Sequence, residues 1–205
     1  MSVDFLITSM VVILIPGTGV IYTLATGLGA GRAASVAAAF GCTLGILPHI
    51  AAAMFGLAAI LHTSAVLFTT LRYLGAAYLL YLAWLTLREA GPVTIERRGR
   101  RGAGKFRIIS TGFLINILNP KLSIFFLAFL PQFVDAGSPS WIGEMLTLAG
   151  VFMALTFAVF VVYGFFAALV GEVALQSDLF MRWFRRAAAT AFASFGLRLA
   201  LGDPQ

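Results

Sequence analysis

Asn116, Asn119, Pro120 and Lys121 form the densest group of chemically able residues in a chain otherwise poor in them. Asn119 is a good N-cap for a helix beginning at Pro120, because proline lacks the amide donor that a first helical turn leaves unpaired anyway. Such a start presents unpaired N–H groups and a partial positive charge, a cradle for an anion such as a carboxylate. Lys121 adds a full charge one residue further, and Asn116 lies one helical turn before Asn119 on the same face. A similar arrangement occurs earlier, at Pro16, Gly17 and Thr18, where glycine lets a ligand approach the backbone closely. His49, directly after Pro48, is the remaining candidate. An imidazole there either relays protons near neutral pH or donates a hydrogen bond between helices.

The elements that must position these residues follow from composition. The chain has 205 residues, 60% hydrophobic and 11% charged, with a mean hydropathy of +0.98. Soluble chains run about 45–50% apolar and about 25% charged. A soluble enzyme, a disordered regulator and a secreted disulfide scaffold are excluded, and the chain reads as an integral membrane protein. Six apolar segments are each close to the roughly 20 residues needed to cross a bilayer. They are Val3–Ala25, Val36–Leu61, Ala65–Leu87, Ile108–Phe133, Leu146–Val170 and Trp183–Leu201. They are uniformly apolar, not alternating as barrel strands would be, so helices are expected. The N-terminus lacks a basic region of the kind that opens a cleavable signal, so the first span is expected to be retained.

The net charge of +6 is explained by topology. Arg32, Arg88, Arg97, Arg98, Arg100, Arg101, Lys105, Arg107, Arg182, Arg185 and Arg186 all fall on one side of a six-span arrangement. Only Arg72 and Arg198 fall near the other. Linkers 1–2, 3–4 and 5–6 are therefore expected in the cytoplasm, with both termini outside. Trp84, Trp141 and Trp183 lie where interfacial anchors belong. The run Arg97–Arg101 then sets topology and touches anionic membrane lipid, and nucleic acid is not expected as a partner. Gly99–Lys105 has phosphate-loop spacing, but Phe106 stands where a magnesium-binding hydroxyl is needed and no strand precedes it.

The basic linker Glu89–Arg107 divides one transmembrane domain, residues 1–205, into repeat 1 (about 1–88) and repeat 2 (about 108–205). An odd number of spans per repeat inverts the second copy. The expected fold class is thus an all-α membrane protein of six transmembrane helices as two inverted three-helix repeats, with helices 1 and 4 broken at proline. Matching breaks in corresponding helices point to a transporter site near the bilayer midplane. A lysine there costs at least about 2.5–3.5 kcal/mol, so Lys121 is expected to face a cavity or a partner, unless it snorkels or forms a structural pair.

The other reactive residues read more plainly. Cys42, the single cysteine, permits no intrachain disulfide or zinc cluster and reads as a small packing residue. His62 reads as a solvated cap at the end of span 2. Thr18, Tyr22, Thr23, Thr43, Ser123, Gln132, Thr156 and Tyr163 read as helix–helix hydrogen bonders, Gly41 and Gly45 as a close-packing pair, and Gly27, Gly29 and Gly31 as the turn before Arg32. No metal, cofactor or ATP site is expected, and an enzyme is not: the core lacks a nucleophile–base pair or a carboxylate pair. A channel, a scaffold and a secondary transporter for a small carboxylated metabolite are the competing functions. A homo-oligomer through Ala187, Ala191 and Gly196 stays open.

On these residues the chain resembles the LysE/RhtB superfamily of amino-acid exporters. The likeness rests on Pro16-Gly17 and the Gly27–Gly45 series. It rests further on Gly75–Trp84, on Asn116-Ile-Leu-Asn119-Pro120-Lys121 with Phe125-Phe126, and on Pro131-Gln132-Phe133. The resemblance implies export of amino acids or their derivatives from a bacterial cytoplasm across the inner membrane, and proton coupling. Pro16, Gly17, Asn116, Asn119, Pro120 and Lys121 match its pattern, and with Thr18 they are the expected substrate contacts. This chain departs from the family at Thr18, where a second proline is common, and at Ile46, where many members carry an aspartate. Proton coupling would then fall to His49 or Lys121, or to a different ion.

Overall fold

Ile15 and Asn119 each precede a proline, whose ring disfavours helical geometry in the residue before it. Both are extended, Ile15 at φ −67°, ψ 124° and Asn119 at φ −83°, ψ 106°. These two positions are where otherwise continuous helical runs stop. The computed structural model describes residues 2–15, 17–61, 104–134 and 138–170, with isolated positions between 70 and 88 and between 186 and 197. Pro16, His62, most of the basic linker, and most of the expected spans 3 and 6 lie outside the described residues.

The helices are α1 (Val3–Leu14), α2 (Thr18–Ala30), α3 (Arg32–Leu44), α4 (Leu47–Leu61), α5 (Lys105–Ile117), α6 (Pro120–Ile124) and α7 (Trp141–Val170). After α6 the chain continues through a π turn (Phe125–Phe129) into a 3-10 turn (Leu130–Phe133). Among the described residues there is no strand. Arg32–Gly56 and Trp141–Leu169, with 25 and 29 residues, are long and apolar enough to cross a bilayer. Two further helix pairs qualify only as bent units: α1 with α2, and α5 with Pro120–Phe133, each bent by 54°.

Element boundaries differ from expectation where glycines were read as turns. Gly27 and Gly29 lie inside α2, and Gly31 alone makes the corner before Arg32, at φ 84°. That left-handed conformation carries no steric penalty only for glycine. Near Pro48 the rod loosens without breaking: the Gly45 N–H still reaches Gly41 O at 3.0 Å, and Ile46 N–H shifts to Thr43 O at 3.1 Å.

Small residues set how closely the helices approach, as expected where lipid gives no hydrophobic drive between them. A β-carbon at Gly41 would overlap the Ile109 carbonyl of α5. One at Gly112 would stand 2.9 Å from Ala38 O, and one at Gly27 would stand 2.5 Å from Gly164 O. Backbone thus meets backbone along α3–α5 and α2–α7. The far side of the bundle is filled instead by aromatic rings. Phe125 stacks on Phe152 at 4.8 Å, and Phe133 packs edge-on to Phe129 at 4.8 Å and to Phe5 at 5.5 Å.

The close approach carries a direct consequence for stability. Gly41→Ala should lower thermal stability in detergent by the roughly 1–3 kcal/mol of an overpacked site, or more. Gly29→Ala and Gly150→Ala, which meet nothing within 4 Å, should not. A melting curve on the purified protein reads both outcomes.

Candidate functional site

In hydrocarbon no water satisfies the last carbonyls of a helix, so α1 ends with a debt in hydrogen bonds that protein groups must meet. The Ile15 N–H takes Val11 O at 3.1 Å. Beyond it, Lys121 Nζ donates to Val12 O and to Ile15 O, both at 3.0 Å, and the Tyr163 hydroxyl donates to Leu14 O at 2.9 Å. Lys121 therefore does not snorkel. Its ammonium crosses from the break in the second half of the chain to the break in the first, where the partial negative charge of a helix C-terminus favours a cation.

Lys121 is aimed by its own helix start. The Asn119 Oδ1 accepts the Lys121 N–H at 3.1 Å, with Pro120 at the first helical position. Asn119 Nδ2 in turn donates to Asn116 Oδ1 at 3.5 Å, and Asn116 Nδ2 donates to Cys42 O at 2.7 Å. Both asparagines are buried, at 2% and 6% exposure, and both spend their amides on holding the break together. His49 lies behind them, not in the cavity. Its Nε2 is 2.9 Å from Asn116 O and its Nδ1 is 3.2 Å from Ser123 Oγ.

Around the two breaks lies a cavity of about 20 Å³, lined by Gly17, Gly19, Asn116, Asn119 and Lys121 on one side. The other side is apolar: Val12, Ile13, Val20, Leu122, Phe152 and Phe160, with Thr156 between the two rings. Its size suits about one water molecule and excludes an amino acid. A β-carbon at Gly17 would stand 3.2 Å from Lys121 Nζ, and one at Gly19 would stand 2.6 Å from Asn116 Oδ1. The helix start at Gly17 has no side-chain cap.

The structure thus brings Gly17, Asn116, Asn119 and Lys121 together. Thr18 and Pro120 are exposed and do not line the cavity, and Pro16 is outside the described residues. Sequence reasoning read Tyr163 as a helix–helix hydrogen bonder, which it is, but passed over the α7 face that lines the cavity. Phe152, Thr156 and Phe160 recur every fourth residue, the period that aligns side chains on one helix face, and that signal was available. The partner of Tyr163 gave none, because it lies 149 residues away.

Removing the donors to α1 should unfold its end first. Lys121→Met leaves two carbonyls unsatisfied, so a loss of about 1–3 kcal/mol per group is expected; Tyr163→Phe should cost about 0.6 kcal/mol. Because both side chains hold one helix end, the double variant should depart from additivity in a denaturation cycle. Strict additivity would show that the two donors act independently.

Comparison with known proteins bears on what such a site is for. The family model of the LysE type translocator matches residues 10–203. A Vibrio cholerae protein, described as an uncharacterised membrane protein, is 29% identical over 96% of this chain and 94% of its own length. The leucine efflux protein of an Enterobacter species is 29% identical over 76% of each chain. The homoserine/homoserine lactone efflux protein of Salmonella typhimurium is 33% identical over 66% of this chain and 65% of its own. No solved structure matches. The apolar helices with their clasped breaks are thus those of a multi-pass membrane protein whose named relatives are efflux proteins, and the chain belongs to the LysE type translocator family.

Proposed function

We propose that this protein exports neutral amino acids with apolar side chains from the bacterial cytoplasm, by alternating access about the two breaks and against an inward flow of protons. The observation that carries this reading is the Lys121 clasp on Val12 O and Ile15 O. It pairs a cation with the carbonyl end of a helix, and a zwitterion can be inserted between the two without leaving either unsatisfied. The substrate carboxylate takes the Lys121 ammonium and the uncapped N–H groups at the start of α2. Its α-ammonium takes the carbonyls of Val12 and Ile15. The side chain then lies against Val20, Leu122, Phe152 and Phe160.

Several features support the coarser architecture behind this. The two bent pairs share the same 54° angle, as two inverted repeats with equivalent broken helices would. The cavity is too small for substrate, so the two halves must part to admit one, and a site that is closed here and open in another state is what alternating access requires. The charge asymmetry of the linkers supports termini outside and a basic linker in the cytoplasm of the inner membrane. Relatives named for leucine and homoserine efflux favour a neutral substrate over a dibasic one.

The test is efflux from bacterial cells loaded with dipeptides, with extracellular amino acids measured over time. Expression should speed the release of leucine and similar aliphatic amino acids more than that of lysine or glutamate. Lys121→Ala at matched membrane abundance should reduce it about 10–100-fold, the worth of a charge-assisted hydrogen bond to the carboxylate. Release of no amino acid above the control would reject the reading. Release that survives in the variant would confine Lys121 to holding α1.

A further inference from the structure

We propose that His49 and Ser123 are the proton-coupling switch of this transporter, a reading that rests on the exporter function proposed above. The argument begins with the tautomer. His49 Nε2 faces the carbonyl oxygen of Asn116 at 2.9 Å, and a carbonyl only accepts, so Nε2 carries a hydrogen in every protonation state. The ring's choice is confined to Nδ1, which faces Ser123 Oγ at 3.2 Å. A hydroxyl both donates and accepts, so Ser123 serves either state. With His49 neutral, the Ser123 O–H donates to the Nδ1 lone pair. With His49 protonated, the Nδ1–H donates to Ser123 Oγ, and the serine hydrogen rotates to Asn119 O, already 3.5 Å away in bonding geometry.

No covalent bond of serine breaks in this exchange. One proton from the outer solution binds the Nδ1 lone pair, the hydroxyl hydrogen turns, and the same proton later leaves to the cytoplasm. The imidazole is the group suited to this, since one ring nitrogen can keep its bond to Asn116 O while the other takes or gives up the proton. Lys121 is the poorer carrier, because its two bonds to Val12 O and Ile15 O are strongest while its amine is charged.

The acceptor that gains the serine hydrogen matters for transport. Asn119 O also receives the N–H groups of Leu122 at 3.1 Å and Ser123 at 3.3 Å, the first turn of α6. The Asn119 side chain at the same time caps Lys121 N–H. A proton on His49 therefore ties α4 more tightly to the helix start that aims Lys121, and its departure loosens that tie. Among the described residues, the groups bonded to the ring are uncharged. Ser123 and Asn119 O come from α6, and Asn116 O from α5. Other titratable groups nearby turn elsewhere: Cys42 of α3 towards Gly19 O, Lys121 of α6 towards α1, Tyr163 of α7 towards Leu14 O. Glu144, at the far end of α7, accepts from Ser138 and Ser140. The proton is read by hydrogen-bond direction, with no ion partner required.

Two experiments test the switch. In proteoliposomes, leucine uptake driven by a pH gradient, acid inside, is compared with leucine counterflow at equal pH. Ser123→Ala and His49→Gln should each lower the ratio of gradient-driven uptake to counterflow by about tenfold or more, and Ser123→Thr, which keeps the hydroxyl, should restore it. An unchanged ratio in Ser123→Ala or His49→Gln overturns the switch while leaving the exporter reading intact. Absence of leucine counterflow in the unsubstituted protein overturns the exporter reading and the switch with it. Separately, nitrogen-15 spectra of histidine-labelled protein in nanodiscs, carrying His62→Gln so that His49 is the sole histidine, should show the neutral ring protonated at Nε2. A neutral ring protonated at Nδ1 overturns the switch whatever the flux.

Discussion

A helix that stops inside a membrane must find donors for its last carbonyls in the protein, because the bilayer offers none. Most of what this chain does follows from how α1 meets that demand. Its carbonyls at Val12, Leu14 and Ile15 are taken by Lys121 and Tyr163, which come from α6 and α7. The satisfaction of the first half's broken helix is therefore lent by the second half. Neither half can move relative to the other without exposing these groups, unless something else arrives to hold them. In the transport cycle proposed above, a zwitterionic substrate supplies both charges needed to do so.

The rest of the bundle keeps that exchange local. Glycine contacts bring the α3 backbone against α5, and α2 against α7, so those faces meet without long side chains between them. Interfaces of this kind let helix backbones approach closely. On the aromatic side, the π turn Phe125–Phe129 puts Phe125, Phe126 and Phe129 into the core directly after the break, and Phe152 of α7 meets the first two. A π turn inserts an extra residue and often lies beside functional sites. Here it carries Phe125 and Phe126 onto Phe152, a ring that lines the cavity.

The sequence made the breaks legible and concealed what they hold. Asn119-Pro120 announced a capped helix start, because local chemistry decides it: proline cannot donate, and asparagine can cap. The Asn116–Asn119 spacing announced a shared face for the same local reason. The target of Lys121 was not legible, since Val12 and Ile15 are 109 and 106 residues away and a backbone carbonyl leaves no mark in the sequence. Gly27 and Gly29 were misread as a turn. In a membrane bundle a glycine as often permits helix contact as it ends a helix, and only the neighbouring backbone at Gly164 tells which. Tyr163 was legible as a bond between helices, but its acceptor, Leu14 O, was not.

The most direct measurement of this account watches the Lys121 ammonium itself. The chain has two lysines, Lys105 and Lys121, so a Lys105→Arg variant labelled with nitrogen-15 lysine carries one side-chain ammonium signal. In nanodiscs that signal should shift saturably as L-leucine is added and stay in place with leucinamide, which lacks the carboxylate. A signal indifferent to leucine at concentrations that saturate transport would contradict the claim that substrate takes the ammonium from the end of α1.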